Sequence, residues 1–374
     1  MNILICCEFF YPSVGGVQKV CEELAKNLSK KGNKITIATS RFKNSLKKLE
    51  YKNNLRIIRF NISGNKVRGF KGDTKEYQNF LLNTKFDAIL IYAAQQWTFD
   101  LVVPIIDKIK SNLFLAPCGF SKLNNLFYKN YFKELPIVLK KFKLNILHSH
   151  KYIDSKFLKE NNIRNKIVIP NGSDFVIKKD KDIEHNLNKR PITILNVSNI
   201  RFAKGQDLAI IVYFLSNIKK KSQLILYGNI TGSNIYFFYL KFLKFLTEFF
   251  YSNKKVLFIK NKNRKDTFSH FINSDLFLFT SRIECSPLVL FESASAGLPF
   301  LSKDVGNSLE IAQWTGCGIV QASIFQLVTK LDEMIQKKNL LKKMSKDGRK
   351  NAIKSYNWTS ISKKYLEVFQ KYNS

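Results

Sequence analysis

Two glutamates eight positions apart, Glu284 and Glu292, lie in the stretch Ser281–Pro299, SRIECSPLVLFESASAGLP. The apolar run Asp275–Thr280 before it reads as a buried strand, and Ser286 reads as the cap of a new helix with Pro287 at its first position, where a missing N–H costs nothing. Gly297 and Pro299 stop that helix. The free N–H groups near Leu288 and Val289, with the positive end of the helix dipole, make a natural phosphate site at the carboxyl edge of a sheet. Glu292 falls in the second helical turn, so a loop carboxylate and a helix carboxylate can approach one ligand. A sugar joined to a diphosphate suits both halves.

A second chemically suggestive loop is Ser198–Gly205, SNIRFAKG, which follows the apolar strand Pro191–Val197. Gly205 permits close backbone approach, and Arg201 and Lys204 place positive charge at the same edge. Either residue could neutralise a leaving diphosphate. Near the N-terminus Gly15 and Gly16 follow the first strand. They do not form G-x-G-x-x-G, so they read equally as a tight turn or as a close approach to a ligand. His148 and His150 flank Ser149 without a carboxylate or thiol at ligand spacing, and no metal site is expected.

The elements that must hold these loops follow from periodicity. Strands are expected at Ile3–Cys7, Lys34–Thr39, Leu55–Phe60, Ala88–Tyr92, Leu113–Ala116, Leu144–His148 and Ile167–Ile169. Val17, Val20, Cys21, Leu24, Ala25 and Leu28 form a helical stripe between the first two. A second series runs through Pro191–Val197, Gln223–Tyr227, Val256–Ile259, Asp275–Thr280, Phe300–Ser302 and Gly318–Val320. Alternating strands and helices predict an α/β chain with two doubly wound domains. The domains are expected at residues 1–175 and 176–355, crossing in the polar stretch Ser173–Arg190, with a last helix at 356–374 packing back on the first domain. A lysine-rich helix is expected over Ile324–Tyr356.

The chain has 374 residues, 45% of them hydrophobic, which is enough for two packed cores, so disorder is not expected. Lys and Arg number 62 against 28 Asp and Glu, a formal charge of +34, which favours anionic partners: nucleic acid, acidic lipid or phosphorylated substrates. Six cysteines without C-x-x-C spacing fit reduced, cytosolic thiols. No uncharged apolar run reaches the roughly 18–20 residues needed to span a bilayer. Two segments mix aromatic residues with lysines. Lys122–Lys143 reads as an amphipathic helix for an anionic membrane surface, as a core helix with a solvated lysine face, or as a stacking platform for single-stranded nucleic acid. Ile235–Tyr251 is apolar nearly all round, which suits burial between domains or insertion into a membrane surface.

Taken together these residues resemble the family-4 retaining glycosyltransferases of the GT-B fold, which has two Rossmann-like domains. The likeness rests on Gly15-Gly16-Val17, Ile169-Pro-Asn-Gly172, Lys204-Gly205, Glu284-x7-Glu292 enclosing Ser286-Pro287-Leu288-Val289, Ala296-Gly297-Leu298-Pro299 and Gly306-Asn307. It implies a nucleotide-diphosphate sugar as donor, held in an interdomain cleft mainly by the C-terminal half, with no metal and no resident cofactor. Lys204 and the amides near Pro287 and Leu288 would hold the diphosphate, Glu292 the ribose hydroxyls, and Glu284 the transferred sugar. The acceptor would be a glycan or lipid-linked sugar in cell-surface polysaccharide synthesis, such as lipopolysaccharide or capsule, at the cytoplasmic face of the membrane. Two positions depart from the family pattern. Asn199 stands where an arginine is usual, so that Arg201 replaces it or the diphosphate is held more weakly. Pro117-Cys118-Gly119 stands where a histidine usually precedes glycine. An epimerase or phosphorylase on the same fold, and a basic nucleic-acid-binding protein, are the competing expectations.

Overall fold

The computed structural model describes residues 1–173, 175, 190–261 and 263–373. They fall into two compact units, Met1–Asn171 with Trp358–Ser374, and Gly172–Asn357. The expected crossing at Ser173–Arg190 lies outside the described residues except for Ser173, Phe175 and Arg190.

The first unit is built on strands β1 (Asn2–Cys6), β2 (Lys34–Ser40), β3 (Leu49–Lys52), β4 (Leu55–Phe60), β7 (Ala88–Tyr92), β8 (Asn112–Ala116), β9 (Leu144–Leu147) and β10 (Lys166–Val168). A separate hairpin pairs β5 (Ile62–Asn65) with β6 (Gly69–Gly72). The sheet order is β10-β9-β8-β7-β1-β2-β4-β3, parallel except where β3 runs antiparallel to β4. Continuous apolar strands such as Ala88–Tyr92, buried throughout, are what a parallel sheet covered on both faces requires. The sequence reading finds the seven parallel strands and misses β3 and the hairpin. Leu49–Lys52 is short and charged, and only its pairing with β4 makes it a strand.

Helix Gly16–Lys30 covers this sheet with the expected stripe, while Glu23 and Asn27 of the same helix are also buried. Asn27 Oδ1 accepts from Thr359 Oγ1 at 3.2 Å, and Lys19 Nζ donates to Glu23 at 2.6 Å. The polar pair thus lies under helix Trp358–Lys371, which packs on this unit through Trp358, Ile361, Tyr365 and Phe369. Phe369 is fully buried, with its ring 4.8 Å from that of Phe114 on β8.

Between Lys122 and Lys143 the chain forms a 3-10 turn at Leu126–Tyr128 and helix Lys129–Lys141. Tyr128, Tyr131, Phe132, Leu135 and Leu139 are buried in the core of the first unit, and only Leu126, Phe127 and Ile137 of its large apolar residues are well exposed. Most of the aromatic content is therefore core packing. The membrane alternative loses its main face here.

The second unit carries six strands, β11 (Ile192–Val197), β12 (Ser222–Tyr227), β13 (Lys254–Ile259), β14 (Leu276–Phe279), β15 (Phe300–Lys303) and β16 (Gly318–Gln321). Their order is β13-β12-β11-β14-β15-β16, all parallel. The order reverses direction between β11 and β14, and the loops after those two strands open at the switch point where doubly wound sheets bind ligands. Two apolar cores cover the faces of this sheet. The lysine-rich stretch from Ile324 is two helices, Ile324–Gln336 and Lys338–Ser355, because Lys337 leaves the helical region at φ −92°, ψ 74°. Replacing the buried ring in Phe369→Ala should cost the first unit about 3–5 kcal/mol, read as a lowered urea midpoint, whereas Phe127→Ala should leave it unchanged.

Candidate functional site

The loops after β11 and β14 are sewn together by backbone. Gly205 sits at φ +64°, ψ 34°, and a Cβ there would lie 2.1 Å from the Thr280 carbonyl oxygen. Only glycine tolerates both the left-handed conformation and that approach. Thr280 Oγ1 donates to Gly205 O at 2.7 Å, the Arg282 amide donates to Ala203 O at 2.9 Å, and Ser281 Oγ donates to the same oxygen at 3.1 Å. Arg282 is held in turn by Asp207, with two hydrogen bonds of 2.8 and 2.6 Å, and lies 4.0 Å above the Phe202 ring. Burial opposes the charge on Asp207, but bonds from Arg282 and the Tyr236 hydroxyl outweigh it and hold the carboxyl below its usual range.

This seam puts Lys204 against Glu284 although 80 residues separate them, with Nζ to Oε1 at 2.5 Å. Both side chains are largely but not wholly buried, at 20% and 15% exposed. The amine is reachable from solvent, and its positive charge rests on a carboxylate. Any anion with more negative charge and more acceptors than one carboxylate competes for it. Arg201 is exposed at the cap of the short turn Phe202–Lys204, and no described side chain pairs with it. It is close enough in sequence to add charge, but it is not packed into the seam.

The helix after β14 spans Leu288–Ser295 with Pro287 as its cap, so it begins one position later than the sequence suggests. Ser286 does not cap it. Its Oγ takes a hydrogen bond from Asn307 Nδ2 at 3.2 Å, because the following loop folds back here, with Asn307 N donating to Cys285 O at 3.0 Å. No side chain caps the helix, and the amides of Leu288 and Val289 have no acceptor among the described residues. They are donors left for a ligand, or for water. At the far end Gly297, φ +63°, closes the helix with Leu298 N donating to Ser293 O at 2.8 Å.

Glu292 lies one turn inside this helix and is only 4% exposed. Its Oε1 accepts from Arg264 Nη2 at 2.6 Å, and the Arg264 guanidinium lies 4.7 Å over the Phe175 ring. The sequence reading places Glu292 correctly on the helix but misses Arg264. The signal was present, since Arg264 opens the helix Arg264–Asn273 that follows β13 at the carboxyl edge, yet it is masked by its neighbours Lys260 and Lys265.

Gly15 and Gly16 belong to the other unit. Gly15 is extended, at φ −175°, and caps helix Gly16–Lys30; Gly16 has open space where a Cβ would project. Neither glycine is forced by backbone strain. In the same unit Cys118 adopts φ +59°, and its sulfur lies 3.7 Å from His148 Nε2. That nitrogen is 2.8 Å from the Tyr92 hydroxyl, and Nδ1 is 2.9 Å from Ile169 O. With Nδ1 protonated toward the carbonyl, Nε2 accepts from Tyr92. Burial lowers the His148 pKa and raises that of Cys118, so the imidazole is neutral and the sulfur a thiol at neutral pH. Among the described residues no group of three or more His, Cys, Asp and Glu could hold a metal ion.

An eight-stranded and a six-stranded sheet, each doubly wound, define the two-Rossmann-domain fold of the GT-B glycosyltransferases. Solved structures agree over nearly the whole chain. A glycosyltransferase from Rickettsia africae has a TM-score of 0.75 at 17% identity, covering 99% of this chain and 98% of that one. WaaG, a glycosyltransferase involved in lipopolysaccharide biosynthesis, has a TM-score of 0.68 at 18% identity, covering 98% and 99%. Anabaena HepE in complex with UDP has a TM-score of 0.72 at 14% identity, covering 99% and 100%. Residues 177–351, nearly all of the second unit, match the family of glycosyl transferases group 1. No curated protein sequence is significantly similar to it.

The seam rests on one glycine. Gly205→Ala should lower the stability of the second unit by at least about 1 kcal/mol, the cost of a left-handed alanine alone, with more from the Thr280 clash. Urea unfolding followed by hydrogen exchange at Thr280–Glu284 measures both the loss and its location.

Proposed function

We propose that the enzyme moves a sugar from a nucleotide-diphosphate sugar to a glycan or lipid-linked acceptor in cell-surface polysaccharide synthesis, with retention of anomeric configuration and without a metal. The observation that carries this reading is the set formed by Lys204, Glu284, the two acceptor-less amides at Leu288 and Val289, and Glu292 on one sheet edge. Anabaena HepE has been solved with UDP and with UDP-glucose, and WaaG acts in lipopolysaccharide biosynthesis, which supports both the donor class and the setting.

In the proposed roles, Lys204 leaves Glu284 to bind the diphosphate, assisted by Arg201 in place of the arginine absent at Asn199. The amides of Leu288 and Val289 take the remaining phosphate oxygens at the positive end of the helix. Glu292, fixed by Arg264, receives the ribose hydroxyls. Glu284, released from Lys204, turns to the hydroxyls of the transferred sugar. The bond from the anomeric carbon to the diphosphate breaks and the bond to the acceptor oxygen forms on the same face. The acceptor proton passes to the leaving diphosphate, whose charge Lys204 stabilises. A carboxylate nucleophile is not required. Glu284 serves donor recognition, and the first unit, including Gly15, Gly16 and the Cys118 loop, selects the acceptor. The work is placed in the cytoplasm at the inner membrane face.

Lys204→Ala should reduce kcat/KM for transfer by about 10²–10³-fold with an unchanged melting temperature, as expected for loss of a group that stabilises leaving charge. Because Glu292 is buried and ion-paired, Glu292→Gln is the cleaner companion, and it should raise KM for the donor more than it lowers kcat. The assay screens UDP- and GDP-sugars by thermal shift, then follows the product by NMR for its anomeric configuration with and without EDTA. Near-wild-type turnover in both variants would remove the site assignment. Donor consumption without any acceptor would point to an epimerase, and an inverted product or loss of activity in EDTA would overturn retention or metal independence.

A further inference from the structure

Helix Asn234–Phe250 of the second unit is the most unusual surface of the molecule. One face is seated: Tyr236, Leu240 and Thr247 are buried, and the helix packs on helix Gln206–Leu215 and on edge strand β13. The opposite face carries Ile235, Phe238, Tyr239, Phe242, Phe245 and Phe249, all exposed, from 43% at Tyr239 to 81% at Ile235. Their spacing of three, four and seven sets them in one stripe along 17 residues, a length of about 25 Å. Isolated exposed apolar residues are ordinary, but a continuous aromatic stripe marks an interaction surface. The helix is not a membrane span, since among the described residues no helix is long and apolar enough to cross a bilayer.

What surrounds the stripe decides its partner. Lys241 lies within it, 5.4 Å from the Phe238 ring centroid. Beyond its C-terminal end the Asn253 side chain bonds the carbonyls of Ile218, Lys219 and Lys220 at 2.8–3.3 Å, which brings the exposed run Lys219-Lys220-Lys221 to the C-terminal end of the helix. Phe214, just before that run, meets Phe250 at 6.2 Å between ring centroids. Lys255 on β13 is exposed as well. An apolar strip edged by cations fits an anionic bilayer surface, with aromatic rings at the acyl boundary and ammonium groups among the phosphates. A second copy of this chain fits poorly. Pairing the stripe with itself would face one lysine cluster with another on molecules that each carry a formal charge of +34.

We infer that helix Asn234–Phe250 is the membrane-docking element, lying in the plane of an anionic leaflet with Phe238, Phe242, Phe245 and Phe249 inserted and Lys219, Lys220, Lys221 and Lys241 on the headgroups. This assigns the membrane contact to the donor-side unit and not to the Lys122–Lys143 segment, and it does not depend on the transfer chemistry proposed above. In the full-length protein, Phe242→Trp and Phe127→Trp are compared on vesicles of phosphatidylglycerol and of phosphatidylcholine, some with brominated acyl chains. Phe242→Trp should shift its emission to the blue and be quenched by the brominated anionic lipid, and Phe127→Trp should not. Lys219→Glu combined with Lys220→Glu and Lys221→Glu should weaken binding to the anionic vesicles by about tenfold or more, with the remainder lost at high salt. Quenching at Phe127→Trp alone would overturn the assignment. So would equal binding to both vesicle types, or a blue shift of Phe242→Trp without lipid that grows with protein concentration, the mark of self-association. Donor hydrolysis by the lysine triple variant in detergent should match the parent, which separates this result from any failure of the catalytic reading.

Discussion

Everything chemical in the second unit hangs on the approach of two backbones, Gly205 against the Thr280 carbonyl at the point where the sheet order reverses. Each loop alone is an ordinary strand-to-helix connection. Fastened together by the Thr280 hydroxyl, the Ala203 carbonyl and the Asp207–Arg282 ion pair, they fix Lys204 on Glu284 and turn two surface charges into a preorganised pair. Such a pair in partial contact with water contributes little to stability, because Coulomb attraction there is offset by desolvation and side-chain entropy. Its value is positional. Under the proposed role, a positive charge for the leaving diphosphate is already at the sheet edge before a ligand arrives.

Glu292 follows a different logic. It is held inside a helix that Gly297 closes with a left-handed turn, so its carboxylate cannot follow a ligand far. Arg264 compensates the buried charge and fixes its direction. One carboxylate thus sits on a loop paired with an amine, and the other inside a helix paired with a guanidinium. The two glutamates, eight positions apart in one motif, are not interchangeable.

Much of this was legible in sequence because it is local. Apolar runs gave the parallel strands, Gly205 and Gly297 punctuated the turns where positive φ is needed, and the Glu284–Glu292 spacing located the edge of the sheet. The misses are all tertiary. Leu49–Lys52 is a strand only because β4 is beside it, Ser286 loses its capping role only because Asn307 folds back on it, and Glu23 and Asn27 look solvent-facing until helix Trp358–Lys371 covers them. Arg264 and Arg282 were hidden by composition. In a chain this rich in basic residues, a structural arginine has no distinguishing mark until its carboxylate is found.

The first unit is discontinuous, since it takes Met1–Asn171 and then Trp358–Ser374 from the other end of the chain, with the whole of the second unit spliced between. During synthesis, β8 and helix Gly16–Lys30 leave the ribosome long before the helix that buries Phe114 and the Glu23–Asn27 pair exists. The second unit, being contiguous, can close first. The earlier half waits with an apolar face uncovered until helix Trp358–Lys371 has been made, so its core cannot close in the order in which it is synthesised.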